Sequence, residues 1–181
     1  EELGLEPGKF ALVTVHRQEN TDVMWRLENI VKALFELSKH VPIVFPAHPR
    51  TVNRLQQYSL LETLRSCAIL TKPLGYFQFL GLLKNSAVVL TDSGGVQEEA
   101  CILGVPVITL RYNTERPETV LAGANIVTGV EADKVVVAAL NILMRRSEFA
   151  KRKGCYNLIG DGTAGEKIAK ILKERRDNIA V

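Results

Sequence analysis

Short apolar runs alternate along this chain with stretches in which apolar residues recur every three or four positions. Phe10-Ala11-Leu12-Val13-Thr14-Val15-His16 is a run suited to a buried strand. From Met24 to His40, Leu27, Ile30, Val31 and Leu34 fall at i, i+3, i+4 and i+7, one face of a helix. Asn20-Thr21-Asp22 reads as its cap. Pro42 leads into a second strand, Ile43-Val44-Phe45, which ends in P-A-H-P-R, with helical turns to about Arg65. Ala68 to Thr71 is a third strand, stopped by Pro73, and Tyr76 to Lys84 a short helix with Phe77, Leu80 and Leu83 in register.

The alternation continues to the end. A strand from Ala87 to Leu90 gives way to T-D-S-G-G-V-Q-E-E and a helix to about Leu103. A strand from Val105 to Leu110 precedes the loop R-Y-N-T-E-R-P-E-T, and Ile126-Val127 marks a sixth strand. Glu131 to Arg145 is a helix with Val135, Leu140 and Leu143 among its apolar positions, and Ser147 caps a further one. After G-D-G, Thr163 to Arg176 forms an amphipathic helix with Ala164, Ile168, Ile171 and Leu172 on one side. Strands alternating with helices predict a parallel sheet covered on both faces. Right-handed crossovers make that an α/β, doubly wound, Rossmann-like domain spanning residues 1–181.

Composition changes this picture little. The 181 residues are 46 % hydrophobic and 24 % charged, ordinary for one soluble globular domain. A net charge of +3, with no basic block beyond Lys173-Glu174-Arg175-Arg176 at a helix end, does not argue for nucleic acid. There is no apolar run long enough to span a bilayer and no signal peptide. Cys67, Cys101 and Cys155 show no metal-site spacing; so sparse a set fits a reducing, cytoplasmic setting, with Cys101 in the core. The start, E-E-L-G-L-E-P-G-K-F, reads as a linker entering a first strand, so a domain cut from a longer chain is expected.

The candidate chemistry lies at strand ends, where a doubly wound sheet binds its ligands. Thr91-Asp92-Ser93-Gly94-Gly95 falls at one such end. Glycine lets backbone approach a ligand, and the first turn of the next helix offers unpaired N–H groups and a positive dipole end. Together with the Ser93 hydroxyl they suit a phosphate or diphosphate. Glu98 and Glu99, a turn later, suit the vicinal hydroxyls of a ribose. The stretch reads equally as a tight turn with a capping serine and two glutamates that complement the dipole. It is neither a G-x-G-x-x-G fingerprint nor a P-loop. His16-Arg17-Gln18-Glu19-Asn20 ends the first strand and His48-Pro49-Arg50 the second; both are cationic, and His16 suits an acid or charge-stabilising role. Arg116, beside a proline-started helix, suits a phosphate, or else bridges to Glu115 or Glu118. Tyr76 and Phe79 read as core, with a base platform as the alternative.

Taken in order, V-T-V-H-R-Q-E-N, P-A-H-P-R, P-L-G-Y-F-Q-F-L, L-T-D-S-G-G-V-Q-E-E-A, G-V-P-V-I-T-L-R and T-E-R-P-E-T resemble the non-hydrolysing UDP-N-acetylglucosamine 2-epimerases, from Phe10 to Leu172. The resemblance implies the C-terminal, UDP-binding half of a GT-B-type two-domain fold, with the N-terminal domain absent. It implies that Ser93, Gly94 and Gly95 hold the diphosphate with Arg116 and His16 nearby, His16 being the catalytic candidate. Glu99 would hold the ribose, Leu74 and Phe79 would flank uracil, and Arg17 and His48 would meet a second, activating UDP-sugar. It further implies interconversion of UDP-N-acetylglucosamine and UDP-N-acetylmannosamine through loss and return of UDP, without metal or cofactor, in a homodimeric full-length protein. Asn157-Leu158-Ile159-Gly160-Asp161-Gly162 departs from the family's N-P-Y-G-D-G. Two other readings stay open: the donor-binding half of a GT-B glycosyltransferase, and a stand-alone nucleotide-sugar sensor.

Overall fold

The computed structural model describes residues 4–145 and 160–179, with side chains as far as residue 175. Six short strands form one sheet: β1 (Ala11–Thr14), β2 (Ile43–Pro46), β3 (Ile69–Thr71), β4 (Val88–Thr91), β5 (Val107–Thr109) and β6 (Asn125–Val127). All pairings are parallel and the spatial order is β3-β2-β1-β4-β5-β6. The helices between them are α1 (Gln18–Thr21), α2 (Met24–Leu37), α3 (Pro49–Gln57), α4 (Leu61–Cys67), α5 (Tyr76–Asn85), α6 (Gly94–Leu103) and α7 (Pro117–Leu121), and α8 (Ala132–Met144) follows β6. A further helix, α9 (Ala164–Ile179), lies near the end of the chain.

The strands are apolar at consecutive positions because each buries both faces. Successive side chains point to opposite sides. Ala11, Val13, Ile43, Phe45, Val88, Leu90 and Ile108 therefore pack with Leu27, Ile30 and Leu34 of α2, Leu64 of α4 and Val135 and Ile142 of α8. Leu12, Val44, Val89 and Val107 pack on the other face with Leu83 of α5 and Ala100 of α6. The expected doubly wound α/β sheet is the observed one. Gly104 closes α6 in the left-handed conformation, with φ 71.

Several local expectations are corrected. Val23, not Asn20-Thr21-Asp22, is the N-cap of α2. Asn20 and Thr21 are buried in the short α1 instead. In α5 only Leu83 is buried, and Phe77, read as part of the apolar face, is 85 % exposed. Ile168, Ile171 and Leu172 of α9 are all more than half exposed. Cys101 is buried, as expected. Ser147 and Cys155 lie outside the described residues. Among the described residues no helix is long and apolar enough to cross a membrane.

Candidate nucleotide site

From β1 the chain crosses toward β2 and β3; from β4 it crosses toward β5 and β6. The crossovers diverge between β1 and β4, and the crevice at their carboxyl ends is where a sheet of this order takes ligands. The two strand ends are tied together. Thr14 Oγ1 lies 2.7 Å from Thr91 Oγ1. Asp92, fully buried, accepts from the backbone N–H of His16 at 3.1 and 3.2 Å and of Arg17 at 3.0 Å. Asn20 Nδ2 donates to the same carboxylate at 3.1 Å and to the Leu110 carbonyl at 2.9 Å. Burial pushes the Asp92 carboxyl above its ordinary range; the Arg17 N–H, His16 and Asn20 pull against it. His16 Nε2 stands 3.9 Å from Asp92 Oδ1, with its side chain half exposed toward the crevice. Asp92 thus shapes the H-R-Q-E-N loop, a role the sequence reading did not assign to it.

A pocket of about 330 Å³ opens beside this junction. It is lined by Thr14, Val15 and His16 at the end of β1, Pro46 and His48 at the end of β2, Pro73 and Leu74 after β3, Phe79 of α5 and Val96 of α6. Four residues singled out in the sequence, His16, His48, Leu74 and Phe79, therefore share one cavity. Phe79 is half-buried and lines it, while Tyr76, read as core, is 59 % exposed. His48 is the N-cap of α3, its Nδ1 accepting from the Arg50 N–H at 3.2 Å. Arg50 is engaged elsewhere, 2.5 Å from Asp22. Arg17 is exposed in the loop after β1.

Ser93, Gly94 and Gly95 begin α6, next to Val96. Ser93 is the N-cap, and its side chain makes no capping bond. That removes the plain capping reading of the serine. Neither glycine has a positive φ. A Cβ at Gly95 would meet nothing within 4 Å, and one at Gly94 would meet only Glu115 Oε2 at 3.6 Å, an ordinary contact. The chain's own packing does not demand glycine at 95; a group laid against the backbone at the helix start would.

Glu98 and Glu99 separate in role. Glu98 takes the Arg116 guanidinium, a partner different from the Glu115 or Glu118 bridge considered from sequence. Arg116 is thereby held beside α6 by its side chain. Its backbone N–H donates to Thr114 Oγ1 at 3.0 Å, and Thr114 in turn bonds the buried Gln97. Glu99 is half-buried, and among the described residues no arginine pairs with it. Burial raises its pKa, the Tyr76 hydroxyl lowers it, and Glu98 raises it further. Arg111, absent from the sequence-based site, is buried at the end of β5, where it binds Glu19 and Glu115. Among the described residues no three His, Cys, Asp or Glu side chains gather as a metal would require.

The family model described as UDP-N-acetylglucosamine 2-epimerase matches residues 1–173. A curated UDP-N-acetylglucosamine 2-epimerase from Methanocaldococcus jannaschii is 47 % identical over 167 residues, covering 90 % of this chain and 44 % of that protein. A UDP-2,3-diacetamido-2,3-dideoxy-D-glucuronate 2-epimerase from Pseudomonas aeruginosa is 40 % identical over 164 residues, covering 90 % of this chain and 44 % of its own length. The crystal structure of the M. jannaschii UDP-GlcNAc 2-epimerase in complex with UDP-GlcNAc and UDP superposes with a TM-score of 0.82 at 47 % identity, over 91 % of this chain and 45 % of that one. Such neighbours are of the GT-B type. The chain thus spans about half the length of the relatives it matches.

Proposed function

Since the chain belongs to the UDP-N-acetylglucosamine 2-epimerase family, we propose that it is the UDP-binding domain of an epimerase acting on a UDP-linked 2-acetamido sugar, UDP-N-acetylglucosamine first among them. The observation that carries this reading is the start of α6. Glycine at 95 serves no need of the fold, the Ser93 side chain makes no cap bond, and the helix start lies next to the pocket after β1, β2 and β3. In this reading the diphosphate lies on the N–H groups of Ser93, Gly94 and Gly95, with the Arg116 and His16 side chains nearby. Glu99 accepts from the ribose hydroxyls, and Leu74 and Phe79 flank the uracil. Arg17 and His48 are assigned to a second UDP-sugar at the mouth of the same crevice.

The reaction follows from what such a cradle favours. Abstraction of the proton at sugar C2 expels UDP; the UDP then adds back after protonation from the opposite face. Donors fixed around the diphosphate stabilise charge as it develops on the leaving group and retain UDP between the two half-reactions. No metal or nicotinamide takes part. The carboxylates that move the C2 proton are assigned to an N-terminal domain outside this chain, so these residues alone bind UDP without turnover, and the full-length protein is a homodimer. Calorimetric titration with UDP tests the reading. A dissociation constant near the micromolar range, about −8 kcal/mol, weakened in Ser93→Ala and abolished in Glu99→Ala, supports it. Failure of the wild-type chain to bind UDP overturns it.

A further inference from the structure

We propose that Arg111 is a positioning residue that fixes the two loops flanking the crevice relative to each other, and so sets the spacing at which the site takes a nucleoside diphosphate. The proposal rests on the UDP reading for its ligand and on Arg111's own contacts for its geometry. Arg111 sits at the end of β5 with a side chain only 9 % exposed. Its Nε donates to Glu19, three residues after His16. Its Nη1 donates to both carboxylate oxygens of Glu115 at 2.7 Å, immediately before Arg116. One buried guanidinium thereby joins α1, in the connection after β1, to the loop after β5, across 92 residues of sequence.

Further contacts make the junction directional. Glu115 Oε2 stands against Gly94, 3.6 Å from where a Cβ would lie, so the Arg111 pair also sets the flank of the α6 start. Arg111 holds the Glu115 carboxyl below its ordinary range, with Arg17 adding to the effect. Glu19 is braced from outside by Arg26, whose Nη1 is 3.7 Å from Glu19 Oε2 and 3.3 Å from the Glu19 carbonyl. The backbone beneath is fixed as well: the Leu110 carbonyl accepts from Asn20 and the Arg111 carbonyl from the Gly129 N–H. Both carboxylates are substantially exposed, so the ion pairs themselves add little to stability. What they supply is geometry, since a planar fork aims two donors in fixed directions and an ammonium cannot.

The test compares the 181-residue chain with Arg111→Lys, which keeps the charge and loses the fork. We expect thermal melting close to wild type, UDP binding weakened on the order of tenfold, as loss of a positioning contact gives, and faster hydrogen exchange at the amides of Arg17 and Arg116 together. The penalty for Arg116→Ala should shrink in the Arg111→Lys background, which a residue acting only on stability would not produce. Glu19→Gln, at a half-exposed position, is the second variant should Arg111→Lys fold poorly. It should quicken exchange at Arg116 as well as in its own loop. Unchanged UDP affinity and exchange in Arg111→Lys, or exchange that quickens in one loop alone, overturns the proposal. Wild-type failure to bind UDP defeats the functional reading instead, and the exchange arm still decides whether Arg111 couples the loops.

Discussion

Glu99 carries the sharpest residue-scale consequence, because the ribose-binding role proposed for it and the direction of its titration point the same way. A carboxylate accepts from both hydroxyls of a ribose; a neutral carboxyl gives up part of that capacity. Burial lifts the Glu99 pKa above the ordinary 4.5, against the Tyr76 hydroxyl and with Glu98. UDP affinity should therefore fall on acidification at a pH above 4.5, as Glu99 takes up its proton. Glu99→Gln should bind more weakly at neutral pH and show no such fall, checked by calorimetry across the acid range. His16 and His48 were legible in the sequence because each follows a strand end; Leu74 was named only through the family resemblance, and Phe79 read first as core. Asp92 was visible in T-D-S-G-G, but its acceptors' partners, the N–H groups of His16 and Arg17, lie 76 and 75 residues away. Arg111 was hidden for the same reason. Its partner Glu115 is only four residues on, but no local pattern marks the pairing with Glu19, 92 residues off, that joins the two segments.

At the scale of elements, turns and helix entries set the testable limits. Gly129, between β6 and α8, has φ 71, and a Cβ there would fall 2.5 Å from Glu131 Oε2 and 2.6 Å from Tyr112 Cε1. Gly129→Ala should destabilise the fold by about 1–2 kcal/mol from backbone strain alone, read as a lower denaturation midpoint. At the entry to α9, Asp161 accepts from the Thr163 N–H at 3.0 Å and pairs with Lys167 at 2.9 Å. The Thr163 hydroxyl foremost, then Lys167, lowers its pKa from 3.8 to about 2. A depressed carboxyl contributes stability that is fully present above the unfolded value and lost as pH falls through the folded one. Helical signal from α9 should therefore decline between about pH 4 and pH 2, and Asp161→Asn should remove that decline. Helical periodicity located α5 and α9 but overstated their burial. An apolar stripe shows which side of a helix is able to pack, not whether anything stands opposite Phe77 or Ile168.

For the molecule as a whole, the proposed function makes a prediction about turnover. The chain matches 44 % of the M. jannaschii relative's length. In the proposed division of labour the UDP cradle is on this chain and the proton-moving groups are not. Incubation with UDP-N-acetylglucosamine should then yield no UDP-N-acetylmannosamine by proton NMR, under conditions where UDP binding is measurable. Turnover by the 181 residues alone would place the acid and base within the crevice described above, with His16 and Asp92 first to be replaced.

The sequence by itself determined the strand–helix alternation, the parallel sheet with both faces covered, the strand-end motifs and, through their combination, the family. Each depends on local information: apolar period, turn residues and short motifs that act within one element and its next loop. The tertiary structure decided the rest. It put β1 beside β4, assigned Glu98 rather than Glu115 or Glu118 to Arg116, buried Arg111 between two loops, and set Asp92 under the His16 backbone. Those pairings follow from which strand ends pack side by side. A buried polar group must find a partner wherever the fold brings one within about 3 Å, and nothing in the residue's own neighbourhood along the chain records which partner that will be.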